Sequence, residues 1–264
     1  MKTNNKSSEG IIMKTLNKLT LALLAACAFN ASAKVENTIE KSFDLSAQGQ
    51  LVLENINGDV NIESWSQNTV KVTADIQAKT QEDLDRIEIK MKQSGDRISV
   101  ETDYSRNDSG WSNNGSSGTV DYTVMVPANI DLRDIELVNG SLNIVNVSGE
   151  LNADVVNGSV EASGMSSDVE VDSVNGAVEL SFADSAKNLD ISVDTVNGSI
   201  RLYLPEDFGA QVEVSTGNGS IKTDYGLSGT KGAYYGTDLT GSFGDGSSEI
   251  ELESVNGSVK ILKK

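Results

Sequence analysis

Residues 172–180 read DSVNGAVEL, and close relatives recur along the chain: DVVNGSVEA at 154–162, DTVNGSIRL at 194–202 and ESVNGSVKI at 253–261. Asn-Gly flanked by alternating apolar residues is the usual mark of a tight β-hairpin. It also suits a corner met once per turn of a repeat. The pairs are Asn57-Gly58, Asn139-Gly140, Asn157-Gly158, Asn175-Gly176, Asn197-Gly198, Asn218-Gly219 and Asn256-Gly257, with gaps of 82, 18, 18, 22, 21 and 38 residues. Two equal gaps and two slightly longer ones describe one unit with small insertions.

Alignment on the Asn fills in the unit. Two residues after the Gly stand Val60, Leu142, Val160, Val178, Ile200, Ile221 and Val259. Four before the Asn stand Leu53, Ile135, Ala153, Val171, Val193, Val214 and Leu252. Period-two alternation gives two short strands per unit, each with one buried face. Two before the Asn the residues are mostly polar: Asn55, Leu137, Val155, Ser173, Thr195, Thr216 and Ser254. The apolar residue stands immediately before the Asn instead, as in Val174. Read as a slip of phase, this turns Val174 inward at a bend and argues against a flat hairpin. Insertions all fall opposite the Asn-Gly corner, as they do where each unit need only stack on its neighbours. The expectation is an all-β chain built as a β-solenoid of stacked two-strand coils, with an N-terminal β-rich cap or insertion. The alternative is an antiparallel meander or barrel. Stacked coils place the Asn amides in a hydrogen-bonding column, with glycine supplying φ > 0. All fourteen corner residues are assigned a structural role.

The rest of the chain divides accordingly. Residues 13–33, MKTLNKLTLALLAACAFNASA, form a basic n-region, a short apolar run and an Ala-Ser-Ala cleavage site: a secretory signal peptide with Met13 as the natural start. Leu24-Ala25-Ala26-Cys27 competes as a lipidation motif. Cleavage after Ala33 yields an exported protein, periplasmic in the first instance. Lipidation of Cys27 yields an outer-membrane lipoprotein or surface protein, and only then a membrane association. Residues 34–132 make a β-rich portion with the first repeat, and residues 133–264 carry the remaining repeats. Strands are read at 69–77, 86–92, 97–104 and 119–127, and a helical turn capped by Thr80 at 80–84. Residues 105–118, with Trp111, read as a mobile loop rich in Ser, Asn and Gly. Trp65 is placed at the first corner. A Gly-rich excursion at 224–248 carries Tyr225, Tyr234, Tyr235 and Phe243, as cover for the core or as a contact surface.

Composition narrows the chemistry. The chain has no histidine and one cysteine, Cys27. The commonest general base, the commonest zinc ligand and, after export, any thiol are therefore missing. Net charge is −18, and removing residues 1–33 with their four Lys and one Glu leaves −21. Such a surface repels nucleic acid and favours solvent or a cationic partner.

Three before the Asn stand Glu54, Glu136, Asp154, Asp172, Asp194, Ser215 and Glu253. Stacking would make them a carboxylate column, either a solvated face or a weak Ca²⁺ site using Glu136, Asp154, Asp172 and Asp194. On the second strand, three after the Gly, the series Asn61, Asn143, Glu161, Glu179, Arg201, Lys222 and Lys260 drifts to basic. It suits a register device or a docking gradient equally. The acids lie in repeat register rather than as an isolated pair, so no enzyme is expected and no cofactor.

The segments LENINGDVNIESW (53–65), TVDYTVMVP (119–127) and IELESVNGSVKI (250–261), behind a signal peptide, resemble the bacterial putative-adhesin family of β-strand-repeat proteins, a domain family of unknown function. The resemblance spans roughly residues 40–264. It implies an all-β, coil-like fold in the cell envelope and supplies no activity. The function expected is a non-catalytic envelope binding or structural module, adhesin-like, with an envelope protein or glycan as partner. The alternatives are an accessory of an envelope signalling system and a polysaccharide-cleaving β-helix enzyme.

Overall fold

The computed structural model describes residues 34–45, 48–104, 118–231 and 236–264. The signal-peptide and Cys27 readings, the 105–117 part of the loop with Trp111, and Tyr234 and Tyr235 lie outside the described residues. The described residues form one compact unit. In chain order its elements are β1 (Val35–Asp44), β2 (Gln50–Asn57), β3 (Val60–Trp65), β4 (Thr69–Ala78), α1 (Gln81–Leu84), β5 (Ile87–Ser94), β6 (Arg97–Tyr104) and β7 (Gly118–Pro127). There follow β8 (Asp131–Asn139), β9 (Leu142–Val145), β10 (Leu151–Asn157), β11 (Val160–Met165), β12 (Val169–Asn175), β13 (Val178–Phe182), β14 (Asp190–Asn197) and β15 (Ile200–Leu204). The last are β16 (Ala210–Thr216), β17 (Ile221–Thr223), β18 (Thr230–Lys231), β19 (Thr237–Phe243), β20 (Ser248–Asn256) and β21 (Val259–Lys263). Among the described residues no helix is long and apolar enough to cross a membrane.

The strands form two large sheets. One has the order β1-β4-β7-β3-β9-β11-β13-β15-β21-β17 and the other β18-β19-β16-β20-β14-β12-β10-β8-β2-β6-β5. Each sheet ends on two different strands, so neither closes into a barrel. Every Asn-Gly corner carries the chain from the second sheet to the first, and the repeat strands pair in parallel with Asn opposite Asn. One strand from each sheet plus its corner makes a rung. Inward residues of both sheets, among them Leu53, Ile135, Val171, Leu180, Leu202 and Ile261, join one buried core.

The spatial order of rungs departs from chain order twice. The rung of β6 and β7 stacks outside that of β2 and β3, which contacts β8 and β9 directly. At the other end β20 and β21 insert between the β14–β15 rung and the β16–β17 rung. The sequence gap of 82 therefore conceals an excursion out to one end rung, whereas at the other end the gap of 21 carries the chain past the place that β20 and β21 fill after the gap of 38. Antiparallel neighbours cover the ends: β5 on β6, β4 and β1 beyond β7, and β19 on β16. The outermost strand β1 carries Glu36, Glu40 and Lys41, charges that discourage pairing with a further chain. Short α1 has Thr80 as N-cap, its hydroxyl accepting from Asp83 N–H at 3.1 Å.

The corner differs from expectation. Val174 does not point inward; it is 39% exposed, and Ile56, Val138, Val156, Val196 and Val255 are exposed beside it. The polar residues two before the Asn are the inward ones: Asn55, Ser173, Thr195, Thr216 and Ser254 are all buried, as are Leu137 and Val155. Alternation continues unbroken to the corner, and it is composition that slips. Some hydroxyls find partners, since Thr216 Oγ1 donates to Gly257 O at 2.8 Å and Ser254 Oγ to Gly198 O at 3.1 Å. Those of Ser173 and Thr195 have none among the described residues. An unpaired buried hydroxyl costs free energy that a methyl of the same shape does not. Thr195→Val is therefore expected to stabilise the protein by about 1 kcal/mol, and Thr216→Val to destabilise it by about the same. Chemical denaturation of both variants checks this, and a loss at Thr195 would refute the assignment.

Glycine at the corner also has a different cause from φ > 0. Gly58 has φ 121° and Gly176 φ 159°, the latter close to extended, but Gly140, Gly158, Gly198, Gly219 and Gly257 do not have positive φ. Each instead lies against the carbonyl of the corner below, so that a Cβ on Gly158 would sit 1.9 Å from Gly140 O. Arg133 stands six before its Asn, where the other units carry Leu51, Leu151, Val169, Ile191, Val212 and Ile250, and it belongs to a bulge in β8. Leu132 pairs with Leu51 and Leu151 in its place, and Asp134 takes φ 51°.

Candidate functional site

The surface around the corners consists of three parallel columns. The first is the Asn ladder. Asn139 Nδ2 donates to Asn57 Oδ1 at 3.0 Å, and the chain continues through Asn157, Asn175, Asn197, Asn256 and Asn218 at 2.9 to 3.0 Å. Each amide is held by the one before it because rungs stack at about 4.8 Å, the span of an Asn-to-Asn hydrogen bond. The second column is the exposed apolar stripe: Ile56, Val138, Val156, Val174, Val196 and Val255, closed at the last rung by Gly217.

The third column is acidic. Register places Glu101, Glu54, Glu136, Asp154, Asp172, Asp194 and Glu253 on successive strands. Lys90 reaches Glu101 at 3.5 Å and Asp103 at 2.8 Å, and thus caps one end. Partial burial, then the charges of Glu54, Asp154 and Asp134, push the Glu136 carboxyl above its ordinary range. Asp172 rises for the same first reason and then through Asp154, Asp194 and Glu170. Asp194 rises through burial, then Glu253 and Glu170.

A carboxyl raised in the folded state binds its proton more tightly there than in the unfolded chain. Its ionisation therefore works against the fold as pH rises from the ordinary carboxylate value, about 4, through the raised one. These three groups are therefore expected to lower the melting temperature as pH rises from about 4 to neutrality. Asp172→Asn, which removes repulsion of about 0.8 kcal/mol from each of two neighbours at about 5 Å in water, is expected to raise it by about 3–6 °C at pH 7.5 and low salt and to shrink the pH effect. A lower melting temperature for this variant would contradict the electrostatic assignment.

The four residues considered for Ca²⁺, Glu136, Asp154, Asp172 and Asp194, do become neighbours, one per rung. Yet among the described residues no three or more Asp or Glu side chains are grouped to hold a metal ion. The carboxylates are strung along a line rather than gathered about a point. Between the acidic column and the stripe runs a groove of about 690 Å³, lined by Asp154, Asp172, Asp194, Val156, Val174 and Val196.

On the opposite sheet Arg201 and Lys260 are register partners, as are Lys260 and Lys222, while Arg201 faces Glu179 at 3.6 Å. The basic end thus lies on the other sheet from the acidic column. In the Gly-rich excursion Tyr225 stacks on Phe243 at 4.0 Å and donates its hydroxyl to Pro205 O at 2.6 Å, covering the last rung. Trp65 ends β3 and donates Nε1–H to Thr69 O at 2.8 Å. The exposed stripe was not read from the sequence as a surface. Its signal was present: an apolar residue at the same corner position in six of seven units.

No curated protein sequence matches the chain. Among solved structures, a putative cell adhesion protein from Clostridium sporogenes superposes with a TM-score of 0.51 at 17% identity, covering 87% of this chain and 100% of that one. A putative adhesin from Bacteroides fragilis gives a TM-score of 0.39 at 14% identity, over 85% of this chain and 97% of the other. The first likeness is one of fold. A family model described as "Domain of unknown function (DUF7330)" matches residues 118–263, more than half of the sequence and most of the stacked rungs. The chain therefore belongs to that domain family of unknown function, in keeping with the resemblance read from the segments at 53–65, 119–127 and 250–261.

Proposed function

We propose that the protein is a non-catalytic, exported module of the bacterial cell envelope, a β-solenoid whose lateral face binds a partner. The observation that carries this reading is the three-column face beside the Asn-Gly corners. Equivalent residues repeat there at every rung on a scaffold tied together by backbone and Asn–Asn hydrogen bonds. Such a face offers a long, regular contact surface rather than a pocket in which two groups converge on one reacting atom. The Clostridium neighbour's description as a cell adhesion protein supports testing attachment first. In the parent bacterium, deletion is expected to reduce attachment and leave envelope-stress output unchanged. Normal attachment with altered stress output would transfer the assignment to a signalling accessory. Release of reducing sugars or unsaturated products from envelope polysaccharide by the purified protein would overturn it. Affinity capture from envelope extract names the partner. Mass measurement of the mature N-terminus separates cleavage after Ala33, the periplasmic form, from a lipid on Cys27.

A further inference from the structure

The binding-module reading leaves the face and the partner class open; resting on that reading, we propose that the groove between the acidic column and the Val stripe binds a cationic amphipathic α-helix of a partner protein. The exposed stripe is continuous over six rungs, and its members remain 38% to 53% exposed. β-branched residues repeated at one exposed position form a contiguous apolar strip, a recognised mark of an interaction site.

Charge complementarity selects the occupant. On one flank of the strip stand Asp154, Asp172, Asp194 and Glu253; on the other stand the Asn amides, neutral and already bonded to one another. A partner seated on the strip meets carboxylates on one side only. It should therefore carry lysine or arginine along one flank of an apolar stripe. Neutralising a column of mutually repelling carboxylates gains more than neutralising isolated ones. An anionic membrane surface would meet the same column with its own charge and be repelled.

Spacing selects the helix. Val156, Val174, Val196 and Val255 occupy four successive rungs, about 14 Å from first to last at about 4.8 Å per rung. Three turns of α-helix advance about 16 Å, so a helix along the groove keeps its apolar residues close to step over that length. An extended strand repeats same-face side chains about every 6.7 Å and loses step at once. It also has no free backbone to pair with, because the strands beneath are bonded on both sides within the sheet. At the far end Gly217 stands in the valine position and the apolar strip stops there.

The test uses the purified protein and a synthetic 15-residue peptide with leucine at helical spacing, lysine along one flank and glutamine elsewhere. Controls are a scrambled peptide of the same composition, the glutamate-for-lysine version, and phosphatidylglycerol vesicles. The leucine–lysine peptide is expected to gain helical circular dichroism on binding, with a Kd on the order of micromolar. Val174→Thr with Val196→Thr keeps branched shape at exposed positions and the parent melting temperature. It is expected to weaken binding about tenfold, the loss of about 1.4 kcal/mol of apolar contact. Asp172→Lys with Asp194→Lys should shift preference to the glutamate peptide. Equal binding of the scrambled peptide, unchanged affinity in the threonine variant, or binding of vesicles but not peptide would each overturn the proposal. A failed peptide assay beside a confirmed attachment defect rejects this face alone, while sugar release rejects the module reading itself.

Discussion

Gly158→Ala is expected to destabilise the protein by at least about 3 kcal/mol, lowering the melting temperature by about 6–12 °C. The corner backbones stack closely: Gly158 N–H donates to Asn175 O at 3.0 Å on one side, while Gly140 O lies against its Cα on the other. A methyl placed 1.9 Å from that oxygen and 2.5 Å from its carbon cannot be accommodated by a side-chain rotation. Either the rungs part at this corner, losing the Asn139–Asn157 bond and the backbone bonds beside it, or the turn rebuilds. Because Gly158 is not at positive φ, the loss measures the close approach and not backbone strain. Ser159→Ala, one residue on, is the control and should change little. A Gly158→Ala melting temperature within 2 °C of the parent would show that the corners are not in contact.

Leu180→Ala is expected to cost about 3–5 kcal/mol, near the top of the range for such truncations. Leu180 is fully buried in β13, with register partners Ala162 on one side and Leu202 on the other. Ala162 is already a small residue in the inward column, and Ala153 on the facing sheet belongs to the same rung. Met165, fully buried and flexible, belongs to that rung as well. A second alanine at 180 would place two short side chains on adjacent rungs, where the cavity is hardest to collapse because the backbone on each side is fixed by the ladder. Leu180→Met, of similar volume, should cost less than about 1.5 kcal/mol. Denaturant unfolding of the two variants checks both figures. A difference below 1 kcal/mol between them would contradict the packing described.

The legible part of the fold and the missed part share a cause. Apolar residues two after each Gly, and four before each Asn, are visible because a strand with one buried face must alternate. That suffices for the two strands per unit and for Asn opposite Asn. The residue two before the Asn misleads because Ser173 and Thr195 look like surface residues, though both are buried and their hydroxyls have no hydrogen-bond partner among the described residues. With polar residues inside and valines outside, hydropathy at this position inverts, and a pattern argument follows hydropathy. The inversion is itself informative: inward hydroxyls at Thr216 and Ser254 reach the corner carbonyls, while outward valines leave a strip for a partner.

What the sequence determined by itself is the unit: its two strands, its corner, its acidic outer position and the absence of histidine. Each follows from local rules of alternation, turn chemistry and composition. Only the tertiary structure decided the order of stacking. The strands at residues 97–104 and 118–127 lie outside the first Asn-Gly rung, and the strands at 248–256 and 259–263 insert before those at 210–216 and 221–223. Chemically similar strands can stack on several neighbours, so local pattern does not choose among them. That choice aligns Val196 with Val255 and Asp194 with Glu253, carrying the apolar strip and the carboxylate column across a gap that the linear sequence leaves open.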